Sequence, residues 1–156
     1  LTPRRKSLFW VRHTPPRKPL PCFFFELDDG MCYGFPPDEV GLKVAEHTGG
    51  HDLHDPDGGA RTVDPGGPAR HTGVIGDHVP GATSEVVAHE ACLYTMTPDE
   101  QFIVDRLPGG PGAVVAGLSG HGFKVAPVLG RAMADLAVDG RTDLPVGFLS
   151  AARFGD

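Results

Sequence analysis

Two short segments hold residues whose types and spacing could do chemistry. Cys92-Leu-Tyr-Thr-Met-Thr-Pro-Asp-Glu100 sets a thiol and the phenol of Tyr94 two residues apart, on one face if the segment is extended. Gly117-Leu-Ser-Gly-His-Gly-Phe-Lys124 is a glycine-rich loop that runs into a helical pattern. Such a loop gathers free backbone amides at a helix start, where the aligned dipole favours negative charge by about 0.3–1 kcal/mol, and by about 2 kcal/mol when partly buried. Gly117, Ser119, Gly120, His121, Gly122 and Phe123 make up the turn, and Lys124 beyond it offers an ammonium to a carboxylate or an acidic cofactor group. Read without a ligand, the same residues are an ordinary strand-to-helix turn followed by a solvated lysine. Cys92 admits three readings: a buried small apolar residue, an exposed thiol, or a point of covalent attachment, with burial the commonest fate of a free cysteine.

A second set lies upstream. Lys43 sits between Leu42 and Val44 in an alternating stretch, so its neighbours take the opposite face and Lys43 itself reads as exposed. His47, four residues on, shares its face. His47, His51, His54, Asp52, Asp55 and Asp57 form the densest group of metal-ligand types. Their spacing fits no closed structural zinc pattern, and loops rich in His and Asp are mostly solvated. No Gly-x-Gly-x-x-Gly follows a strand, since Gly117–Gly122 runs Gly-x-x-Gly-x-Gly, so no dinucleotide pyrophosphate site is visible. No Ser/His/Asp hydrolase signature is present.

The elements that must position these residues are short and loop-rich. The 156 residues are 40% hydrophobic and 22% charged, with 22 glycines and 16 prolines, about twice the average share of those two types. The net charge of −6 and the absence of a basic tract beyond Arg4-Arg5-Lys6 and Arg17-Lys18 speak against nucleic-acid binding. No apolar run approaches the roughly 20 residues of a membrane span, and no signal-peptide core follows the first residues. Three cysteines, odd in number and without metal-ligand spacing, indicate a reduced cytoplasmic protein. The chain opens at Leu1, directly on a strand pattern, which reads as a truncated start.

Lys6–Arg12 and Pro21–Leu27 are aromatic-rich strand patterns, and Asp28-Asp-Gly30 is a tight-turn signal that should pair Cys22–Leu27 with Met31–Phe35. Gly41–His47 adds a further strand, giving an antiparallel meander. Residues 48–81 read as a long irregular loop; a helix over Arg70–His78 would carry Gly73 and Gly76, each costing about 1 kcal/mol relative to Ala. Val86–Ala88, Cys92–Met96 and Gln101–Arg106 read as strands, and Ala113–Leu118 as a strand buried on both faces. Phe123, Pro127, Leu129, Met133, Leu136 and Ala137 lie near helical spacing over Gly122–Val138. Pro127 moves the helix start toward Ala126, and Gly140 supplies a stop.

Taken together, Tyr33-Gly-Phe-Pro36, Gly41-Leu-Lys43, His47 and the two segments described first resemble the C-terminal part of the FAD-dependent sarcosine oxidase and N-methyltryptophan oxidase family. The likeness is strongest over Glu90–Phe154 and thinner over Leu1–Thr48. It implies that Cys92 is joined covalently to the flavin ring and that Gly117, Ser119, Gly120, His121, Gly122 and Phe123 form the loop over that ring. It also implies that Tyr33 and Tyr94 line the substrate cavity, that Lys124 holds the substrate carboxylate, that Lys43 promotes reaction with oxygen, and that His47 is a pocket histidine. A buried cation beside reduced flavin stabilises the charge of superoxide, which gives the Lys43 role a physical basis.

The fold implied is α+β. Residues 1–91 would be part of an antiparallel-sheet substrate domain. Residues 92–156 would hold the flavin-contacting segment and a strand–Gly loop–helix unit returning to the FAD-binding domain, whose N-terminal nucleotide-binding half is missing from this chain. The complete protein would oxidise the secondary amine of N-methyl amino acids by hydride transfer to FAD. Oxygen would then reoxidise the flavin to give hydrogen peroxide. The partners implied are a small-molecule amine, oxygen and the missing half, with no metal, nucleic acid or membrane. Gln101 stands where the family often has histidine, and Asp55–His78 is glycine- and proline-rich where the family tends to have an amphipathic helix. Two other readings stay open: a non-catalytic remnant or subunit that docks with a separate FAD-binding chain, and a His/Asp metal-binding module.

Overall fold

The computed structural model describes residues 1–14, 18–28, 30–57 and 67–155, with the backbone alone at 67–71 and 74. Arg17, Asp29 and the 58–66 part of the expected loop lie outside the described residues. The chain divides into two compact units, Arg4–Leu93, and Tyr94–Asp156 together with Leu1–Pro3.

The first unit is built on β1 (Thr2–His13), β2 (Phe23–Leu27), β3 (Gly30–Gly34), β4 (Leu42–Glu46), β5 (His51–Asp52) and β6 (Ala82–Met96). Their order is β2-β3-β4-β1-β5, with β6 also paired to β1. The expected meander is present: β2 and β3 form a hairpin with Leu27 opposite Gly30, and β4 runs antiparallel to both β3 and β1. Alternation sorts the side chains. Phe9, Val11, Cys32, Leu42 and Val44 turn to one face and pack with Ile75 and Val79, while Phe23 and Phe25 border this core. Opposite-pair register puts Trp10 with Lys43, Leu8 with Ala45, and Tyr33 with Ala45 on the other face.

Residues 48–81 are not all irregular. Besides β5, an α-helix, α1, spans Gly67–His78. Thr72, Ile75 and Val79 follow helical spacing and are buried, whereas a Cβ added at Gly73 or Gly76 would meet nothing within 4 Å. The glycines therefore face away from the core. Burying Ile75 contributes roughly 1.5–3 kcal/mol, enough to offset the propensity cost that argued against this helix. A second correction concerns β6. Val86–Ala88 and Cys92–Met96 are not separate strands but parts of one 15-residue strand, of which Ala82–Leu93 falls in the first unit and Tyr94–Met96 in the second.

In the second unit β7 (Ile103–Arg106) and β8 (Ala113–Ala116) form an antiparallel hairpin. All four β8 residues are half-buried within this two-stranded sheet, so the expected burial on both faces is not met within this chain. A 3-10 turn over Phe123–Val125 leads into α2 (Ala126–Val138), with proline in its first turn as expected, and Gly140 beyond its end has φ +70°. Leu129 and Ala132 of α2 pack with Val104 and Leu149, while Phe123, expected on the helix's apolar stripe, precedes α2 and is 95% exposed. The C-terminal residues are pinned by charge. The Asp105 carboxylate accepts from Ser150 Oγ at 2.7 Å and from the Ala151 amide at 2.9 Å. Arg153 donates to both Asp99 oxygens, at 2.7 and 3.1 Å, and to the carbonyls of Leu149, Ser150 and Gln101. The α+β expectation holds.

Candidate active site

On the sheet face opposite α1, Lys43 is not the exposed lysine that simple alternation suggested. Its Nζ lies 5.2 Å from the Trp10 ring centroid and 5.6 Å from that of Phe35. Among the described residues no carboxylate reaches it. Cation–π contact contributes about 0.5–2 kcal/mol depending on desolvation, and it holds the charge in place without neutralising it. Tyr33 stands edge-on to Phe35 with centroids 5.9 Å apart, and Phe24, opposite Tyr33 in register, lies edge-on to His47 at 6.4 Å. Tyr33, Lys43 and His47 are thus on one aromatic-lined face. Cys92, half-buried in β6, has its thiol pushed up by burial, an effect opposed by the ammonium charges of Lys6 and Lys43.

The second constellation is the loop after β8. The Ser119 amide donates to the Thr95 carbonyl at 3.0 Å, its hydroxyl to the Gly117 carbonyl at 3.0 Å, and the side chain is buried. Gly117, Ser119 and Gly120 all have positive φ, at +60°, +45° and +82°. A Cβ at Gly120 would collide with the Tyr94 ring, and one at Gly117 with the Thr97 methyl. Tyr94 therefore packs flat on the loop backbone, a contact that only glycine permits. His121 is held between Phe102, at 4.7 Å between ring centroids, and the Glu100 carbonyl, 3.3 Å from its Nε2. Around this loop the His121 amide donates to the Leu118 carbonyl at 2.9 Å and the Val125 amide to the Gly122 carbonyl at 3.1 Å, and among the described residues the amides of Gly120, Gly122 and Phe123 make no such backbone bond. Phe123 and Lys124 are exposed beside it.

Sequence reasoning missed Trp10, Phe35 and Lys6. The first two cage Lys43 through strand pairing that no local spacing reveals, although Phe35 lies within the quoted Tyr33–Pro36 stretch. The His/Asp group does not converge: among the described residues no three His, Cys, Asp or Glu side chains could hold a metal ion, and Asp52 is bonded to Arg4 at 2.6 Å. Among those residues, too, no helix is long and apolar enough to cross a membrane.

The chain thus holds an antiparallel sheet that displays Lys43 among aromatic rings and, later in the sequence, a strand–glycine loop–helix unit. The chain belongs to the FAD-dependent oxidoreductase family, whose model matches residues 1–136. It is 38% identical over 137 residues to a monomeric sarcosine oxidase of Arthrobacter sp. (strain TE1826), covering 85% of this chain and 35% of that protein. It is 37% identical over 161 residues to an N-methyl-L-tryptophan oxidase of Escherichia coli O157:H7 (strain EC4115 / EHEC), covering 97% of this chain and 42% of the relative. The human peroxisomal sarcosine oxidase is 40% identical over 126 residues, covering 76% of this chain and 32% of that protein. The fold is shared with NikD, described as an unusual amino acid oxidase essential for nikkomycin biosynthesis (TM-score 0.72, 22% identity, 96% of this chain and 42% of that one). Glycine oxidase from Geobacillus kaustophilus also shares it (TM-score 0.71, 23% identity, 97% and 39%). The chain thus spans well under half the length of these relatives.

Proposed function

We propose that this chain is the substrate-domain and flavin-contacting portion of an FAD-dependent amine oxidase that acts on the secondary amine of N-methyl amino acids and passes electrons to oxygen, yielding hydrogen peroxide. The observation that carries the reading is Lys43, a cation held between Trp10 and Phe35 with no described carboxylate, on the face that also bears Tyr33 and His47. The two rings hold the ammonium on this face.

When bound, FAD supplies the two-electron chemistry. The chain's own residues supply position and field. Lys43 stabilises negative charge as oxygen is reduced. Cys92 offers the thiol for covalent attachment, and Gly117–Phe123 offers backbone amides to the flavin's electron-rich edge. Lys124 pairs with the substrate carboxylate, Tyr33 and Tyr94 shape the cavity around the amine, and His47 contributes a polar group to it. In this reading residues 1–91 belong to the substrate domain, residues 92–156 return to the FAD-binding domain, and the nucleotide-binding half is supplied from outside this chain.

The test is flavin fluorescence in a denaturing gel paired with intact mass, on the protein from its natural source. A fluorescent band, lost in Cys92→Ser, is the expected result. A colourless band from a protein that fails to oxidise sarcosine would overturn the reading.

A further inference from the structure

Lys6 is 3% exposed, although a lysine is among the residues least often buried. Its Nζ donates to the carbonyl oxygens of His47 at 3.1 Å, of Thr48, and of Gly49 at 2.9 Å. Three acceptors for three N–H donors offset the desolvation that otherwise makes a buried ammonium costly. All three acceptors belong to the turn that leaves β4. The same turn is fastened from the opposite side, where the His47 amide donates to the Met31 carbonyl at 2.7 Å and the Met31 amide to Thr48 Oγ1 at 3.0 Å. Against β1 the fit is close: a Cβ at Gly50 would lie 2.9 Å from Lys6 Cδ and 2.7 Å from the Arg5 carbonyl oxygen. The β1–β4 register sets Trp10 opposite Lys43 and Leu8 opposite Ala45, and Lys6, two residues before Leu8, reaches the turn that follows β4.

From this arrangement we infer that Lys6 is a positioning residue for His47: its ammonium gathers three consecutive carbonyls and so fixes the turn that keeps the imidazole on the sheet face of Lys43 and Tyr33. The inference rests on the amine oxidase reading, in which His47 meets substrate, and Lys6 acts on substrate only through His47. Neutral replacements remove the ammonium that the three carbonyls share, and the turn loses the group that gathers them. Arginine retains donors and charge at the same place. The geometry that makes Lys6 necessary is one of distance between strands, so its role is invisible in the spacing of Lys6 and His47 along the chain.

The experiment uses the full-length flavoprotein with Lys6→Met, Lys6→Arg, His47→Ala and the Lys6→Met/His47→Ala pair, with sarcosine as the probe. Lys6→Met should raise KM about tenfold, the size expected for one lost hydrogen bond to a polar group. His47→Ala should do the same, the double variant should match His47→Ala within about twofold, and Lys6→Arg should restore KM. Coupled sites are non-additive where independent ones add, so multiplying effects would overturn the inference. A second readout needs no turnover: in protein with labelled histidine, the His47 imidazole resonance should move in Lys6→Met and return in Lys6→Arg. An unmoved resonance would also overturn it. Failure of the underlying function looks different, since wild-type protein would then carry no flavin and leave sarcosine unchanged.

Discussion

Replacing Gly120 by Ala perturbs the loop at the point where Tyr94 rests on it. Two costs follow from the structure. Gly120 has φ +82°, and an L-residue held in left-handed backbone costs about 1–2 kcal/mol. The new methyl would also collide with the Tyr94 ring, and overpacking of this kind costs about 1–3 kcal/mol. Gly120→Ala should therefore destabilise the protein by about 2–5 kcal/mol, read as a shift in urea midpoint at constant slope. The two costs separate in a double-mutant cycle. Tyr94→Ala removes the ring that the methyl would strike but leaves the backbone strain, so in that background Gly120→Ala should cost only about 1–2 kcal/mol. A coupling of about 1–3 kcal/mol between the two positions is thus required. An additive cycle, with Gly120→Ala equally costly whether or not the ring is present, would refute the packing of Tyr94 on the loop.

Other outcomes follow from the same structure. Lys43→Met should slow flavin reoxidation by oxygen by about 100-fold or more while leaving anaerobic reduction by sarcosine within severalfold; equal slowing in stopped-flow experiments would remove its role toward oxygen. Gly73→Ala and Gly76→Ala, on the open side of α1, should each stabilise by about 1 kcal/mol, whereas Ile75→Ala, fully buried, should cost about 2–5 kcal/mol in the same denaturation assay. Asp105 has its carboxyl pulled down by Ser150, the Ala151 amide and the Arg106 amide. Its stabilising contribution is therefore present above the ordinary carboxylate range near pH 4 and is lost as pH falls through the lowered folded value. Asp105→Asn should weaken the protein at pH 7 and converge with wild type under strong acid, as followed by urea midpoints across pH.

What was legible in the sequence was whatever period and punctuation encode. The β2–β3 hairpin, the β4 strand and the α2 start beside Pro127 came from alternation, a turn signal and one proline. Helix α1 was obscured because its glycines face solvent while its stability comes from Ile75 and Val79 meeting strands far away in sequence. The continuity of β6 was hidden for a related reason: polar Ser84, Glu85, His89 and Glu90 break the apolar pattern yet point outward and leave the backbone ladder intact. In the candidate site, the cysteine, the tyrosines and the glycine loop announced themselves by type. Trp10 and Lys6 did not, since each acquires its partner by lateral pairing of β1 with β4 and its following turn, and register is a tertiary property.

The aromatic cage of Lys43 has a consequence for working conditions. A lysine held by an aspartate or glutamate loses its partner when acid protonates the carboxylate, and loses much of the attraction when salt screens an exposed pair. Trp10 and Phe35 have no proton to gain, and their contact with the ammonium is short-ranged. The contacts that hold Lys43 on this face therefore do not depend on the ionisation of a partner. An activity lost on mild acidification would accordingly have its origin in another group, which turns a pH profile of this protein into a measurement of everything except Lys43's partners.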